Sequence, residues 1–160
     1  MARQTGLLMA QLLNRFMWFD GALQKNLERR GWGGVRRLES MTMIYVHAGI
    51  RRPSELARLI GVTRQSMNTA LRELEEKQLI RLLPDPGDKR CKIVEFDPAG
   101  EAMRHEALNV IEELETLLDE RLGEGAVEGL TDFLAADWGE APRLGEGGGK
   151  TGARGEKETA

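Results

Sequence analysis

Between residues 6 and 30, Leu8, Leu12, Phe16, Phe19, Leu23 and Leu27 recur at alternating spacings of three and four, which predicts a helix with one apolar stripe. Gly31, Gly33 and Gly34 end it. A second helix is expected from about Arg37 to Ala48, carrying Leu38, Met41, Ile44, Tyr45 and His47 before Gly49 closes it. A third starts at Pro53, whose missing N–H costs nothing at a first helical position, with Glu55 where the helix dipole favours an anion. Leu56, Ala57, Leu59 and Ile60 form its apolar face, Gly61 turns the chain, and Val62 can plug the corner. Thr63 caps a fourth helix with Met67, Ala70, Leu71 and Leu74 on the buried side. After Gln78 the period changes to that of strands: Leu79, Ile80, Leu82 and Leu83 read as one, Lys92 to Phe96 as its partner. The intervening Pro84 to Arg90 contains two prolines, a glycine and two aspartates, so a hairpin loop projecting into solvent is expected. Asp97 and Pro98 then open a helix to Leu122, ~37 Å long at 1.5 Å per residue. Met103, Ala107, Val110, Leu114, Leu117 and Arg121 lie on one side of it, and Ile111 and Leu118 widen the stripe. A shorter helix is expected from Gly125 to Trp138.

The fourth helix turns Arg64, Gln65, Ser66, Asn68, Thr69 and Arg72 away from its buried stripe, and Thr63 at its start is counted with them as a candidate DNA contact. These side chains suit DNA, because Arg can grip guanine and Gln or Asn adenine through paired hydrogen bonds, while hydroxyls reach bases or phosphates. Lys89 and Arg90 in the hairpin loop would meet phosphates or a narrow minor groove. Helix, tight turn, second helix and basic hairpin together outline a winged helix that reads DNA.

The order Pro-Ser-Glu-Leu-Ala, Gly-Val-Thr-Arg-Gln, Leu-Glu-Glu-Lys-Gln-Leu-Ile, Asp-Pro-Gly-Asp-Lys-Arg, then a strand, Asp97 and Gly100, resembles the MarR family of bacterial transcription regulators. Motif-level likeness covers residues 53 to 103, and the flanking helices agree in pattern. In that family the wing carries an Asp-x-Arg element, which falls here on Asp88 and Arg90. The resemblance implies that Arg90 enters the minor groove and that Asp88 orients it. Arg52 stands where a capping Thr is common and is counted with the DNA contacts, as is Arg51 beside it. Asp97 replaces the usual Thr before the next helix and is itself a good N-cap.

Net charge is −3, which looks awkward for a DNA binder, but residues 51–92 hold ten basic and six acidic side chains and leave the remainder at −7. The reading face is therefore locally positive and the rest acidic. The chain of 160 residues fits one domain or a domain plus a dimerisation element. A single cysteine, Cys91, excludes an intramolecular disulfide and fits a reducing cytoplasm. No apolar run approaches the ~20 residues of a membrane span, and Met1 to Ala10 lacks a signal-peptide layout, so a cytoplasmic protein without membrane contact is expected.

The fold class expected is mainly α with a small β-hairpin wing: a winged helix-turn-helix core at 37–97, an N-terminal dimerisation helix within 1–36, C-terminal dimerisation helices at 98–139, and a flexible tail at 140–160. The long helix outruns what a small winged helix can cover, so its far half should pack with the first helix against a second copy. A two-fold homodimer would require a palindromic operator in double-stranded DNA, with half-sites about one helical turn, ~34 Å, apart. Repression by blocking polymerase is the simplest outcome of such binding. In MarR relatives small phenols or aromatic carboxylates bind between the dimer helices and the winged unit. Here Arg15, Trp18, Phe19, Tyr45 and His47 could offer stacking plus a cation or hydrogen bond to such an effector.

Competing chemistry is thin. Cys91 could serve a thiol-based redox regulator, but the position reads as a packed strand residue with nothing beyond Lys89, Arg90 and Lys92 to favour its thiolate. His47, His105 and one cysteine offer no metal-ligand spacing, and no cofactor is implied. Gly145 to Thr151 imitates a phosphate-binding loop one residue short, in a Gly-, Lys- and Glu-rich tail. No catalytic residues are assigned, so an enzyme is not expected. The rival reading is a winged-helix module that binds another protein rather than specific DNA, and Arg90→Ala separates the two.

Overall fold

The computed structural model describes residues 6–140, so the tail, with its look-alike loop at 145–151, lies outside the described residues from 141 onward. The described elements run in the order α1 (Leu7–Arg29), α2 (Arg37–His47), α3 (Pro53–Ile60), α4 (Arg64–Glu76), β1 (Ile80–Asp85), β2 (Asp88–Phe96), α5 (Glu101–Leu122) and α6 (Ala126–Ala135). The strands form one antiparallel hairpin. This is the mainly helical, winged helix-turn-helix architecture expected from the sequence.

Local chemistry accounts for the turn between α3 and α4. Gly61 takes the left-handed conformation at φ 77°, and its N–H and that of Val62 both reach the Ala57 carbonyl at 3.0 Å. Thr63 then accepts the Ser66 N–H at 3.1 Å, satisfying one of the donors a helix start leaves free. Leu56 from α3 and Met67, Leu71 and Leu74 from α4 are fully buried against Leu23, Leu27, Val46, Ile80, Val94, Met103, Val110 and Leu114. Burying each such side chain contributes about 1.5–3 kcal/mol, so one core unites the helix-turn-helix, the hairpin, α1 and α5. Gly100 lets α5 start close to the hairpin base, because a Cβ there would lie 2.9 Å from Leu79 Cα.

Three boundaries differ from the sequence reading. The hairpin loop is only Pro86 and Gly87, because Asp85 accepts the Gly87 N–H at 2.8 Å and closes a tight turn. Beyond Pro84, which has no N–H to offer the ladder, the register slips: Asp85 faces Asp88 and Pro84 faces Lys92, leaving Lys89, Arg90 and Cys91 as a bulge. The long helix opens with a 3-10 turn at Pro98–Gly100, and its α-helical part of 22 residues spans ~33 Å. α6 stops at Ala135 rather than Trp138, whose indole folds back and donates to the Phe133 carbonyl at 3.2 Å.

Ion pairs lock α1 and α2 to the rest. Arg37 reaches Asp20 at 2.7 Å, and Arg30 joins Glu106 and Glu113 on α5. The nearly fully buried Glu39 of α2 receives Lys77, the residue capping the C-terminus of α4, at 2.7 Å on both oxygens. The α1 stripe has two fates: Leu23 and Leu27 are core, whereas Leu8, Leu12 and Phe16, with Leu7, Leu13 and Met17 around them, stay exposed. Leu122, Leu130, Phe133, Leu134 and Trp138 at the other end of the chain are exposed as well.

Candidate nucleic-acid interface

Because Met67, Ala70, Leu71 and Leu74 are buried, helical geometry forces the alternate positions outward, and Arg64, Gln65, Ser66, Asn68, Thr69 and Arg72 are all exposed. Their functional groups make only local bonds. Thr63 and Ser66 hydroxyls meet at 2.9 Å, Thr69 donates to the Gln65 carbonyl at 3.1 Å, and Arg72 leans back towards Thr69 and the Asn68 carbonyl at 3.4 Å. Thr63 is thus occupied as a cap, while the side-chain amides of Gln65 and Asn68 have no hydrogen-bond partner among the described residues. An open groove of about 700 Å³ runs between this face, Pro53 at the start of α3, and Leu82 and Lys92 of the hairpin.

The ten cations of 51–92 divide sharply. Arg51 pairs with Glu95, Arg52 with Asp85, Arg58 with Glu55, Lys77 with Glu39 and Arg81 with Asp97. Arg64, Arg72, Lys89, Arg90 and Lys92 form no ion pair among the described residues, and all five lie on the α4 face or the wing. The unneutralised charge therefore sits together on one surface made by α4 and the wing, although the chain as a whole is acidic.

Arg52 departs from the expectation of a phosphate contact. Its Nε and Nη2 donate to Asp85 Oδ2 at 3.0 and 2.8 Å, and the Asp85 carboxylate is otherwise closed off from solvent. Arg51 is likewise turned to Glu95 at 3.1 Å, while its carbonyl accepts the Val94 N–H at 2.8 Å. Asp88 takes the Arg90 backbone N–H at 3.0 Å, so any orienting of Arg90 acts through the main chain and not through its guanidinium. Asp85 was legible only as a turn residue. Its signal is the Asp-Pro-Gly order, in which a carboxylate can accept the glycine N–H two residues on. The Gly87 N–H is the foremost reason that the Asp85 carboxyl lies below the usual carboxylate range, and Arg52 adds to it.

Cys91 is not the packed strand residue the sequence suggested. It sits in the wing bulge, exposed, because the register slip removes the cross-strand neighbour that would cover it. Its Sγ donates to Asp88 Oδ2 at 3.5 Å, and this bond to a carboxylate pushes the thiol above its ordinary pKa, which disfavours the reactive thiolate.

The five residues expected to form an effector site do not converge. Trp18 and Phe19 stack edge to face at 5.8 Å and, with Tyr45, pack against the core, while Trp18 also borders a separate groove on α1. Arg15 is exposed and lines none of these grooves. Only His47 reaches the mainly apolar cavity of about 240 Å³ between α1, α2 and α5. Ser40, Met43, Ile44, Phe96, Arg104 and Leu108 share that cavity, and Arg104 lies 4.8 Å over the Phe96 ring. No single-sequence signal marked these positions, because the cavity is assembled from three distant segments.

Comparison with known proteins agrees with this geometry. Residues 35–90 match the family model described as MarR family. Wild-type MarR from E. coli superposes with a TM-score of 0.61 at 20% identity, covering 84% of this chain and 96% of that one. RV1404 from Mycobacterium tuberculosis gives 0.65 at 16% identity over 83% and 93% of the two chains. A transcriptional regulator from Thermotoga maritima gives 0.53 at 20% identity over 80% and 89%. A sequence search of curated proteins gives no match. Residues 35–90 of this chain are thus similar to the MarR family, and its fold is the winged helix-turn-helix fold of these solved structures.

Proposed function

We propose that the protein is a ligand-responsive transcription regulator, most simply a repressor, that binds an inverted-repeat operator as a homodimer. The observation that carries the reading is the segregation of charge: the five cations without ion pairs, with Gln65 and Asn68, occupy one surface made by α4 and the wing. On this reading α4 enters the major groove, where Gln65, Asn68, Arg64 and Arg72 meet base edges and Ser66 and Thr69 meet bases or phosphates. Lys89 and Arg90 reach the neighbouring minor groove. The exposed apolar residues of α1 and α6 support dimerisation, since a band of this size rarely faces water unaccompanied. The domain division follows: winged core at 37–97 between dimerising helices.

The effector site is placed in the cavity beside His47, where an apolar body with one polar group would find Met43, Ile44 and Leu108 around it and His47 or Arg104 at its edge. A ligand there parts α2 from α5 and so changes how the winged units sit on the dimer layer. It acts only by binding the two arrangements with different affinity. The test is operator binding by Arg90→Ala and by Ile44→Trp, which fills the cavity. Arg90→Ala should weaken operator binding by about 1–3 kcal/mol, and Ile44→Trp should bind operator but no longer release it with an aromatic acid. Unchanged affinity in Arg90→Ala sinks the DNA reading, and intact release in Ile44→Trp sinks the pocket.

A further inference from the structure

We propose that Arg52 and Asp85 form a clamp that fixes the wing against the helix-turn-helix unit, making Asp85, an anion beside a DNA-reading surface, a positioning residue required for binding. The inference rests on the DNA-binding reading above. Arg52 occupies the N-cap of α3 yet its side chain caps nothing; it crosses instead to the hairpin and places two donors on Asp85 Oδ2 at 3.0 and 2.8 Å. The other oxygen, Oδ1, receives the Gly87 N–H at 2.8 Å, so one carboxylate is tied to α3 on one side and to the wing turn on the other. Its side chain is only 9% exposed, whereas that of Arg52 is 58% exposed, so the anion is the buried member and the cation its lid.

From Gly87 the chain passes directly to Asp88, whose Oδ1 holds the Arg90 N–H at 3.0 Å. Two aspartates in series therefore connect the start of α3 to the cation meant for the minor groove. The link matters because Lys89, Arg90 and Cys91 have no cross-strand partner in the ladder. Without Asp85 the tip is held only by the short hairpin below Pro84, and the distance between Arg90 and the α4 face is no longer set. DNA recognition by two elements at once depends on that distance, since a misplaced wing forfeits its contacts or strains those of α4.

Charge alone and positioning give opposite signs for one substitution. Removing the Asp85 negative charge beside polyanionic DNA should tighten binding if only Coulomb attraction matters. If Asp85 is the clamp, Asp85→Ala weakens it. The probe is the duplex that the wild-type protein selects from a random pool about 30 base pairs long, roughly three helical turns. Asp85→Ala and Arg52→Gln should each lose about tenfold in affinity, the double variant no more than either alone, and neither should lose further in an Arg90→Ala background. Asp85→Asn, which keeps the Gly87 bond but not the charge pair, should fall between. Hydrogen exchange of the free proteins supplies the arm without DNA: amides of residues 87–91 should exchange faster in both single variants, with those of α4 unchanged. Tighter binding by Asp85→Ala, additive losses, or wild-type exchange in the wing would overturn the clamp. If the wild type selects no duplex, the DNA-binding reading fails while the exchange arm still decides the clamp.

Discussion

Lys77→Ala tests the mechanical link between α2 and α4. Glu39 is 1% exposed, and its two oxygens have three close donors' worth of satisfaction: Lys77 Nζ at 2.7 Å to each, and the Arg36 N–H at 2.6 Å to Oε2. Stripping the partner from a fully buried ion pair costs about 3–5 kcal/mol, because a charge is left in a poorly solvated site. Lys77 is itself 35% exposed, and after its removal the Arg36 amide remains with its guanidinium 3.9 Å away, so the cost is discounted to about 2 kcal/mol. That is a large share of the ~5–15 kcal/mol a domain of this kind holds. Urea unfolding at fixed protomer concentration reads it as a lower midpoint with an unchanged slope. Glu39→Gln/Lys77→Ala removes the stranded charge and should recover about 1 kcal/mol relative to Lys77→Ala alone. A loss below about 0.5 kcal/mol in the single variant, or strict additivity in the double, refutes the reasoning.

Thr63→Ala should cost about 1 kcal/mol by leaving the Ser66 N–H without its acceptor, and Thr63→Ser should restore most of it, both read by urea unfolding. Gln78 sits past the end of α4 at φ 56°, a conformation a side chain pays for in strain, so Gln78→Gly should raise stability by about 0.5–1 kcal/mol, and a loss would contradict that backbone argument. The Asp85 carboxyl is depressed by Gly87 and Arg52, so its contribution to stability is present above the ordinary carboxylate pKa and disappears as pH falls through the lower folded value. The stability gap between wild type and Asp85→Asn should therefore be flat near neutrality and shrink below about pH 4; a gap that grows on acidification has the wrong sign.

The helices were legible because their apolar residues follow the helical period and their ends carry strong local chemistry. Pro53, Gly61 and Thr63 fix α3 and α4 to the residue. The outward face of α4 was equally readable, since burying Met67 and Leu71 determines where Gln65 and Asn68 point. What escaped was everything decided by partners distant in sequence. Nothing near Arg52 announces Asp85, and nothing near Lys77 announces Glu39, so only the fold joins these cations to their buried anions. Cys91 reads as a strand interior because its exposure follows from a register slip after Pro84. The cavity beside His47 draws on α1, α2, β2 and α5 at once, and no spacing in one segment encodes it. The DNA-binding part of the proposed function thus rests on what sequence and structure share, whereas its effector cavity and the proposed clamp rest on contacts only the fold brings about.

The most direct test of the central claim is a titration of the purified protein against the duplex it selects and against a scrambled duplex of equal length, with stoichiometry and salt dependence read together. The account predicts two chains per duplex and a preference of at least about 10³-fold for the selected sequence. With five cations that form no ion pair among the described residues on each proposed DNA-binding surface, the log–log salt slope should be no steeper than about −9 for the dimer. Equal affinity for both duplexes, or a single chain bound per selected duplex, would contradict it.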